Sequence, residues 1–198
     1  MLGHLPDEEF QPLLAGAQRG EEISFSALWR AFNPGLMRFL SGAADREDAL
    51  DLSSTVWLDV VRGLDRFAGD AFGFRAWLFT IARHRVVDLR RAEGRRPRLV
   101  RQDHLNQQHE RADSDITDPS ARVEAEWSTD EAIALIGSLP TDQAEVLLLR
   151  IVADLDVATV ATIVGKRPGT VRVLSHRGLR RLAQLLDDEL ISDGDVTP

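Results

Sequence analysis

The sequence predicts an all-α protein built from two small helical domains that are joined by a flexible linker. Apolar residues recur at three- and four-residue steps over most of the chain, which is the periodicity of helices that bury one face. One long stretch has almost no apolar residues and contains acids and a proline, as linkers do. We therefore divide the 198 residues into a first domain, a linker, a second domain and an acidic tail, over 1–92, 93–125, 126–191 and 192–198.

Composition excludes several classes of protein. The chain is 43% apolar and 28% charged, as in ordinary globular proteins, and it contains no run of the ~20 apolar residues that a membrane span needs. Its acidic start differs from a signal peptide, so we expect a cytoplasmic protein without membrane insertion. With no cysteine, disulfides, thiolate metal sites and thiol catalysis are excluded. His104 and His109 have no convincing third ligand, and we expect neither a metal nor a cofactor.

The charge is divided unevenly along the chain. Between residues 83 and 101 eight arginines stand against two acids, and between 166 and 181 six basic residues stand against none. Because the whole chain carries a net charge of −8, the rest is strongly acidic. Two basic patches on an acidic body predict contact with nucleic acid at two places and weak DNA affinity of the free protein.

The first helices follow from local signals. A short helix is predicted to begin near Pro6, with acids in its first turn, and to end at Gly20. Residues 24–40 read as a helical hairpin arm, with a break or kink at Asn33, Pro34 and Gly35. The aromatic residues of this arm recur at helical spacing and are predicted to be core.

Residues 45–64 are predicted to form a helix that begins with a capping pair, Asp45 and Asp48. One side carries apolar residues and the other carries acids, which on charge alone is a solvated face. The apolar side is Leu52, Val56, Trp57, Val60 and Val61, and the acidic side is Glu47, Asp48, Asp51 and Asp59.

Residues 67–91 combine an aromatic and glycine-punctuated loop, FAGDAFGF, with a helix that becomes rich in arginine. A single nucleic-acid strand needs this combination, because bases stack on aromatic rings while guanidinium groups hold phosphates. Taken alone, aromatic residues in a helical protein are more often core than base platform, and this alternative applies to Phe72, Phe74, Trp77 and Phe79. A stripe of Leu78, Ala82, Val86 and Leu89 predicts the buried side of the helix and leaves His84, Asp88 and Arg91 on another face.

The second domain contains a predicted helix-turn-helix over residues 157–186. A helix capped by Thr141 precedes it; Gly165 supplies the turn, and Pro168 opens the second helix. Such a unit places the early residues of its second helix against base edges. The predicted buried positions are Val171, Leu174, Gly178, Leu182 and Leu185, and the opposite face carries Thr170, Arg172, Val173, His176, Arg177 and Arg180.

These two stretches resemble bacterial sigma factors of the extracytoplasmic-function (ECF) class, a group of the sigma-70 family. The first resembles their region 2 and the second their region 4, in the same order and over roughly residues 10–187. Two positions depart from the family pattern, since His84 replaces an asparagine and Thr159 an acid. The matching positions are Phe67, Gly69, Phe74, Arg75, Trp77, Leu78, Ile81, Ala82, Arg83, Asp88 and Arg91, and then Leu139 and Pro140 followed by Gly169, Thr170 and Val171.

The resemblance implies a transcription initiation factor that is not an enzyme. It would bind core RNA polymerase through the β′ coiled coil and the β flap, read promoter DNA at the minus-ten and minus-thirty-five elements, and assist melting. An anti-sigma protein is a further expected partner, and the free protein is expected to be a monomer. The implied minus-ten residues are Phe67, Gly69, Asp70, Phe72, Phe74, Arg75, Trp77, Arg83, His84, Asp88 and Arg91. The implied minus-thirty-five residues are Lys166, Arg167, Pro168, Gly169, Thr170, Arg172, Val173, His176, Arg177 and Arg180, and the implied polymerase contacts are Asp48, Asp51, Leu52, Val56, Trp57 and Asp59.

Two other functions remain open from the residues alone. A conventional helix-turn-helix regulator would use the first domain as a dimerisation or ligand module and would act without polymerase. A small helical enzyme would use the acids between residues 45 and 59 as metal ligands, although no histidine accompanies them there.

Overall fold

The computed structural model describes residues 5–95 and 129–193, and these residues confirm the all-α prediction. We refer to residues 5–95 as the first half and to residues 129–193 as the second half. The first half consists of α1 (Asp7–Gln18), α2 (Glu22–Ala43), α3 (Arg46–Gly63), a 3-10 turn (Leu64–Arg66) and α4 (Ala71–Arg95). The second half consists of α5 (Thr129–Gly137), α6 (Thr141–Leu147), a π-helical segment (Leu148–Val152), α7 (Val157–Val164) and α8 (Pro168–Asp193).

Aromatic rings form the centre of the first half. The ring centroids of Phe10, Phe32 and Phe74 lie between 4.9 and 6.3 Å apart, so α1, α2 and α4 meet at one cluster. Val56 and Val60 of α3 close the core from the other side. Each fully buried side chain of this size contributes roughly 1.5–3 kcal/mol relative to exposure, and burial on this scale holds the four helices together.

Helix α2 corrects part of one prediction, because it continues through Asn33, Pro34 and Gly35 without the break that the sequence suggested as one alternative. Proline inside a helix costs about 3 kcal/mol. Residues on both sides of Pro34 are buried in the same core, and this burial offsets the cost. Asn33 strengthens the segment, since its side-chain oxygen accepts hydrogen bonds from Trp57 Nε1 at 2.9 Å and from Ser53 Oγ at 3.3 Å.

Several helix ends confirm their sequence signals. Pro6 precedes α1, and Gly20 follows it with a φ of 84° that favours glycine. The Asp45 side chain accepts from the backbone N–H of Asp48 at 3.0 Å and so caps α3 as predicted. Thr141, predicted as the cap of α6, is instead its first residue, and Pro140 occupies the cap position without a side-chain hydrogen bond.

The loop before α4 is shorter than the sequence suggested. Residues 71–74 form the first turn of α4, since Asp70 accepts from the Gly73 N–H at 2.7 Å and caps the helix. At its far end α4 reaches Arg95, past the predicted start of the linker. The rest of that linker, including His104 and His109, lies outside the described residues, as do residues 194–198 of the tail.

The second half contains the predicted helix-turn-helix. Asp156 caps α7 by accepting from the Thr159 N–H at 2.7 Å, and α7 ends at Gly165 in the left-handed conformation, with a φ of 65°. Pro168 then opens α8, whose Val171 is fully buried. The two helices therefore meet at a fixed turn, and the outer face of α8 is left open.

The two halves pack against each other. Helix α5 lies on α2, and the buried residues of both halves form one continuous apolar cluster. Gly42 and Gly137 lie in close contact, because a Cβ added to Gly137 would lie 2.7 Å from the Gly42 carbonyl oxygen.

Candidate functional site

The first turn of α4, next to the loop over residues 67–70, presents one large ring to solvent. Phe72, in the first turn of α4, is 42% exposed, whereas Phe74 is completely buried. Phe67 is half-buried and stacks on Trp77, with centroids 5.1 Å apart and planes inclined by 24°. Of the aromatic residues proposed from sequence to meet a base, Phe72 is therefore the most accessible, and Phe74 belongs to the core.

Helix α1 holds this loop through polar side chains that the sequence analysis did not single out. Gln11 Nε2 donates to the Gly69 carbonyl at 2.9 Å, and Gln18 Nε2 donates to the carbonyls of Leu64 and Phe67, each at 2.9 Å. Asp7 accepts from the Ala71 N–H at 2.9 Å. The three side chains share one face of α1, so their helical spacing was the signal available in the sequence.

The loop backbone is consequently fixed before any ligand arrives. Gly69 and Asp70 remain exposed, but one carboxylate oxygen of Asp70 is engaged in the cap of α4. Its other oxygen is available to accept from a base or a sugar.

Two arginines of the predicted minus-ten set lie away from this loop. Arg75 Nη1 pairs with Asp154 Oδ2 at 3.3 Å, and Arg83 Nε pairs with Glu145 Oε1 at 3.0 Å. Both acids belong to the second half, and the arginine side chains are only 12% and 20% exposed. The structure therefore places these guanidinium groups in the seam between the halves.

His84, Asp88 and Arg91 form an exposed row along α4, on the separate face that the sequence predicted. Arg91 Nη1 lies 3.7 Å from Asp88 Oδ1. The row borders an open depression of about 550 Å³ between α3 and α4, which Trp77 and Arg85 also line.

Asp59 belongs to this depression. It was predicted as a polymerase contact on the acidic side of α3, but its carboxylate pairs with Arg85 of α4 and with Arg62. Its role in the structure is to join α3 to α4.

The outward face of α3 differs from the predicted one. Leu52, Val56 and Trp57, predicted as polymerase contacts, are buried against the first half's core, so they support α3 from within. The large apolar side chains that α3 exposes are Leu50, Leu58 and Val61, each more than half exposed, and among the predicted contacts Asp51 is exposed. Asp48, at the start of the helix, is half-buried. Leu50, Leu58 and Val61 are separated by eight and then three residues, which is helical spacing. They therefore form a second apolar stripe that could be read from the sequence.

Helix α8 presents the predicted minus-thirty-five residues almost as a set. Lys166 is half-buried and pairs with Asp142 at 3.0 Å. The other nine are exposed, and in the part of the chain that the structure describes no acid pairs with their arginines. The exposed nine are Arg167, Pro168, Gly169, Thr170, Arg172, Val173, His176, Arg177 and Arg180.

Two carboxyl groups have lowered pKa values, and both act at helix starts. The Thr159 N–H donates to Asp156 and lowers the pKa of that carboxyl, so the cap of α7 stays ionised. The pKa of Glu21 is lowered chiefly by the Arg19 guanidinium and then by the Ser24 hydroxyl. Within residues 5–95 and 129–193, no cluster of histidine and acidic side chains could hold a metal ion, and no helix is long and apolar enough to cross a membrane.

Comparison with known proteins identifies the family to which this chain belongs. The model of sigma-70 region 2 matches residues 28–96, and that of sigma-70 region 4 matches residues 129–182. The chain is 31% identical over 193 residues to the ECF RNA polymerase sigma factor SigD of Mycobacterium tuberculosis (strain ATCC 25618 / H37Rv), covering 95% of this chain and 87% of SigD. The chain belongs to the ECF class of the sigma-70 family.

The chain is also similar to other ECF sigma factors. ShbA of Streptomyces griseus is 38% identical over 141 residues, which cover 69% of this chain and 71% of ShbA. Two solved structures share the fold. CnrH in complex with the cytosolic domain of CnrY has a TM-score of 0.58 and 23% identity, covering 89% of this chain and 96% of that chain. The sigma factor RpoE in complex with the anti-sigma factor NepR from Bartonella quintana has a TM-score of 0.60 and 22% identity, covering 82% of this chain and 96% of that chain.

Membership of the ECF class confirms the coarse function expected from the sequence. The protein is a transcription initiation factor that binds RNA polymerase and acts at specific promoters, and it is not an enzyme. Region 2 corresponds to α2, α3 and α4, and region 4 to α5 through most of α8. Helix α1, which holds the exposed loop of this ECF sigma factor, precedes the matched part of region 2.

Proposed function

We propose that this ECF sigma factor divides promoter recognition between two surfaces and binds core RNA polymerase through a third. The loop over residues 67–70 and the exposed row of α4 engage the minus-ten element, and the outer face of α8 engages the minus-thirty-five element. The outward face of α3 binds the β′ coiled coil, and the second half binds the β flap.

The exposure of Phe72 beside a fixed loop carries the minus-ten part of the proposal. Extruding a base from duplex DNA costs a few kcal/mol, and stacking on an aromatic ring returns ~1–3 kcal/mol. Edge hydrogen bonds to Asp70 and to the Gly69 backbone supply the rest. Because Gln11 and Gln18 already order the loop, base capture does not have to offset the entropy of ordering it.

The row of His84, Asp88 and Arg91 lies along the same helix and contacts the duplex beside the captured base. His84 stands where the family has an asparagine, so its ring presents a donor and an acceptor in a different geometry. We expect the base preference next to the captured position to differ from that of family members with asparagine.

The outer face of α8 reads the minus-thirty-five element. Arginine forms bidentate hydrogen bonds with guanine, and the exposed Val173 is suited to a thymine methyl group. Arg172, Arg177 and Arg180 are exposed and not neutralised by acids within the described residues, which favours both phosphate and base contacts.

In this proposal, the exposed side chains of α3 bind RNA polymerase. Leu50, Leu58 and Val61 form an apolar stripe that is more than half exposed, and Asp51 is exposed beside it. An exposed apolar stripe with charged flanks is typical of a protein interface. We infer that an anti-sigma partner covers this same face, since RpoE from Bartonella quintana, which shares the fold, was solved in complex with the anti-sigma factor NepR.

A multi-round transcription assay with core RNA polymerase and a promoter library tests the whole proposal. We expect start sites that share two spaced elements and that require this protein. If no transcript requires both this protein and core polymerase while duplex binding is retained, polymerase-dependent function is contradicted and a conventional helix-turn-helix regulator is favoured.

Point variants in the same assay separate the surfaces. Phe72→Ala should reduce open-complex formation roughly 5- to 150-fold, the equivalent of one lost stacking contact, while core binding is unchanged. Ile151→Ala, which removes a comparably exposed apolar side chain elsewhere, is the matched control. Leu50→Ser with Leu58→Ser should instead weaken core binding and leave duplex binding intact. Loss of core binding by Phe72→Ala would show that the ring is structural.

A further inference from the structure

Helices α6 and α8 border an open depression of about 430 Å³ in the second half, which we call the α6–α8 pocket. Three arginines of α8 line it, and the first turn of α6 contributes Gln143. Two of the arginines, Arg177 and Arg180, belong to the predicted minus-thirty-five set, whereas Arg181 and Gln143 lie outside that set. The remaining lining residues are Gln184 and Leu185.

The pocket forms because α6 approaches α8 closely at Gly178. This glycine is buried, and a Cβ added to it would lie 2.7 Å from Leu147 Cδ1 and 3.5 Å from Gln143 Cβ. A second link holds the start of α6, since Asp142 pairs with Lys166 at 3.0 Å. Packing between the helices therefore places Gln143 beside the arginines.

Positive charge dominates the pocket. Arg177, Arg180 and Arg181 are exposed, and within residues 5–95 and 129–193 no acid pairs with them. The acid next to Gln143 in the sequence, Asp142, is already engaged by Lys166. The arginines are three and four positions apart and so share one face of α8. Like charges gathered on one face attract an anion.

The carboxamide of Gln143 can only donate into this pocket. Its Oε1 is buried and accepts no hydrogen bond from the described residues. Its Nε2 has no partner among them either, but it is not buried, so it is accessible from the pocket that Gln143 lines. A glutamine that reads adenine needs its oxygen and its nitrogen at once. Gln143 is therefore suited to an acceptor group and not to a base pair.

The pocket is the chemical complement of a phosphodiester. The three guanidinium groups and the Gln143 amide are all hydrogen-bond donors. Phosphate oxygens carry negative charge and accept without donating, whereas base edges mix donors and acceptors. The arginines also continue the exposed part of α8 that carries Arg172 and His176, so a duplex bound there brings its backbone alongside the pocket.

We propose that the α6–α8 pocket binds one backbone phosphate of the duplex beside the minus-thirty-five element. Arg181 and Gln143 are then positioning residues for DNA, and Arg177 and Arg180 hold phosphate instead of reading bases. Base discrimination is left to the part of α8 before Arg177, as in other helix-turn-helix units. The inference rests on the proposed minus-thirty-five role of α8 and divides that surface into two parts.

Fluorescence anisotropy over a salt series, with the full chain and a duplex carrying the mapped minus-thirty-five element, tests the charge. Arg181→Gln should weaken binding roughly 10-fold and reduce the salt slope by about one unit, because one phosphate loses its cation. Gln143→Leu removes a donor but no charge, so it should weaken binding about 2- to 10-fold at an unchanged slope. Arg30→Gln, at an exposed arginine of α2, is the matched control and should bind as the parent does.

Duplexes with single base-pair substitutions test whether the pocket reads sequence. Arg181→Gln and Gln143→Leu should lower the affinity for every duplex by the same factor, as expected for a phosphate contact. Loss of preference at one base pair would overturn the proposal. Gln143→Leu also removes a buried oxygen without a partner, so it should be at least as stable as the parent in thermal melts, and weaker binding then does not reflect unfolding.

Duplexes in which one phosphate at a time is replaced by an uncharged methylphosphonate locate the contact. One of them should bind the parent more weakly and lose no further affinity with Arg181→Gln, because both changes remove the same contact. Equal losses with Arg181→Gln at every substituted phosphate would overturn the proposal. If the parent shows no preference for the mapped element, the proposed function fails and this inference with it. A retained preference together with parent-like binding by Arg181→Gln defeats this inference alone.

Discussion

The two surfaces proposed to contact the promoter are prepared in opposite ways. In the first half, backbone geometry is fixed by Gln11 and Gln18, while Arg75 and Arg83 are already paired with acids. On α8 the arginines project from one rigid helix and, among the described residues, have no acidic partners. The first surface therefore has its backbone geometry set before DNA binds. The second surface has the positive charge of its arginines unpaired, within the described residues, before DNA binds. We expect the minus-thirty-five contact to form first, with minus-ten engagement as the controlled step.

The largest expected effect contrasts a buried ring and an exposed ring in the first turn of α4. Phe74→Ala removes a completely buried ring and should lower the free energy of unfolding by about 3–5 kcal/mol. Phe72→Ala, at an exposed ring, should change it by less than about 1 kcal/mol. Urea denaturation measures both. Equal losses would mean that the exposed ring is part of the core and would remove it as a base platform.

The next effect concerns charge at the second surface. Arg172→Ala should weaken binding of minus-thirty-five duplex by about 1–3 kcal/mol if the guanidinium reads a base. If it holds a phosphate, the salt dependence of binding should fall by about one unit of slope instead. Fluorescence anisotropy over a salt series distinguishes the two. Arg19→Ala, at an exposed arginine paired with Glu21 in the first half, is the control, and an identical response of both variants would contradict the assignment.

A third prediction tests whether shape is preset at the first surface. Gln18→Ala removes two hydrogen bonds, one to Leu64 before the loop and one to Phe67 at its start, and should cost about 1–2 kcal/mol of local stability. Amide hydrogen exchange at residues 65–70 should accelerate, and minus-ten binding should weaken while duplex binding by α8 is unchanged. Gln184→Ala, on α8, is the matched control. Unchanged exchange would show that the loop is ordered by other contacts.

The smallest expected effect is a pH dependence of the stability of the second half, where Asp156 caps α7. Asp156 caps α7 with a pKa below its ordinary value of 3.8, so its stabilising contribution is complete above that value and is lost as pH falls through the lowered pKa. Asp156→Asn keeps the cap but cannot titrate, and it should flatten this part of the acid unfolding curve. Thermal melts between pH 2 and 6 measure it, and superimposable profiles would contradict the role.

The fold was predictable where the physical cause is local. The cap of α3 by Asp45, the left-handed Gly165 and Pro168 at the start of α8 each act within a few residues of their own position. A break at Pro34, one of the two predicted alternatives, is absent, because the cost of the proline is local whereas the burial that offsets it comes from residues on other helices.

The site was predictable on exposed helix faces and not across contacts between helices. Helical periodicity correctly separated His84 and Asp88 from the buried stripe of α4. It could not decide which of two apolar stripes on α3 faces the core, because that depends on where α2 and α4 pack. The pair between Arg83 and Glu145 joins residues 62 positions apart, so neither its spacing nor its neighbours indicated it.

The hydrogen bonds from α1 to the loop set a practical boundary for engineering. A chimaera that exchanges region 2 at the matched limits, residues 28–96, would transplant the loop without the glutamines that hold it. Such a hybrid would inherit the recognition residues of one parent and a loop support that was never matched to them. Swaps that begin at Pro6 carry the loop and its support together, and they are the appropriate modules for building sigma factors with altered promoter choice.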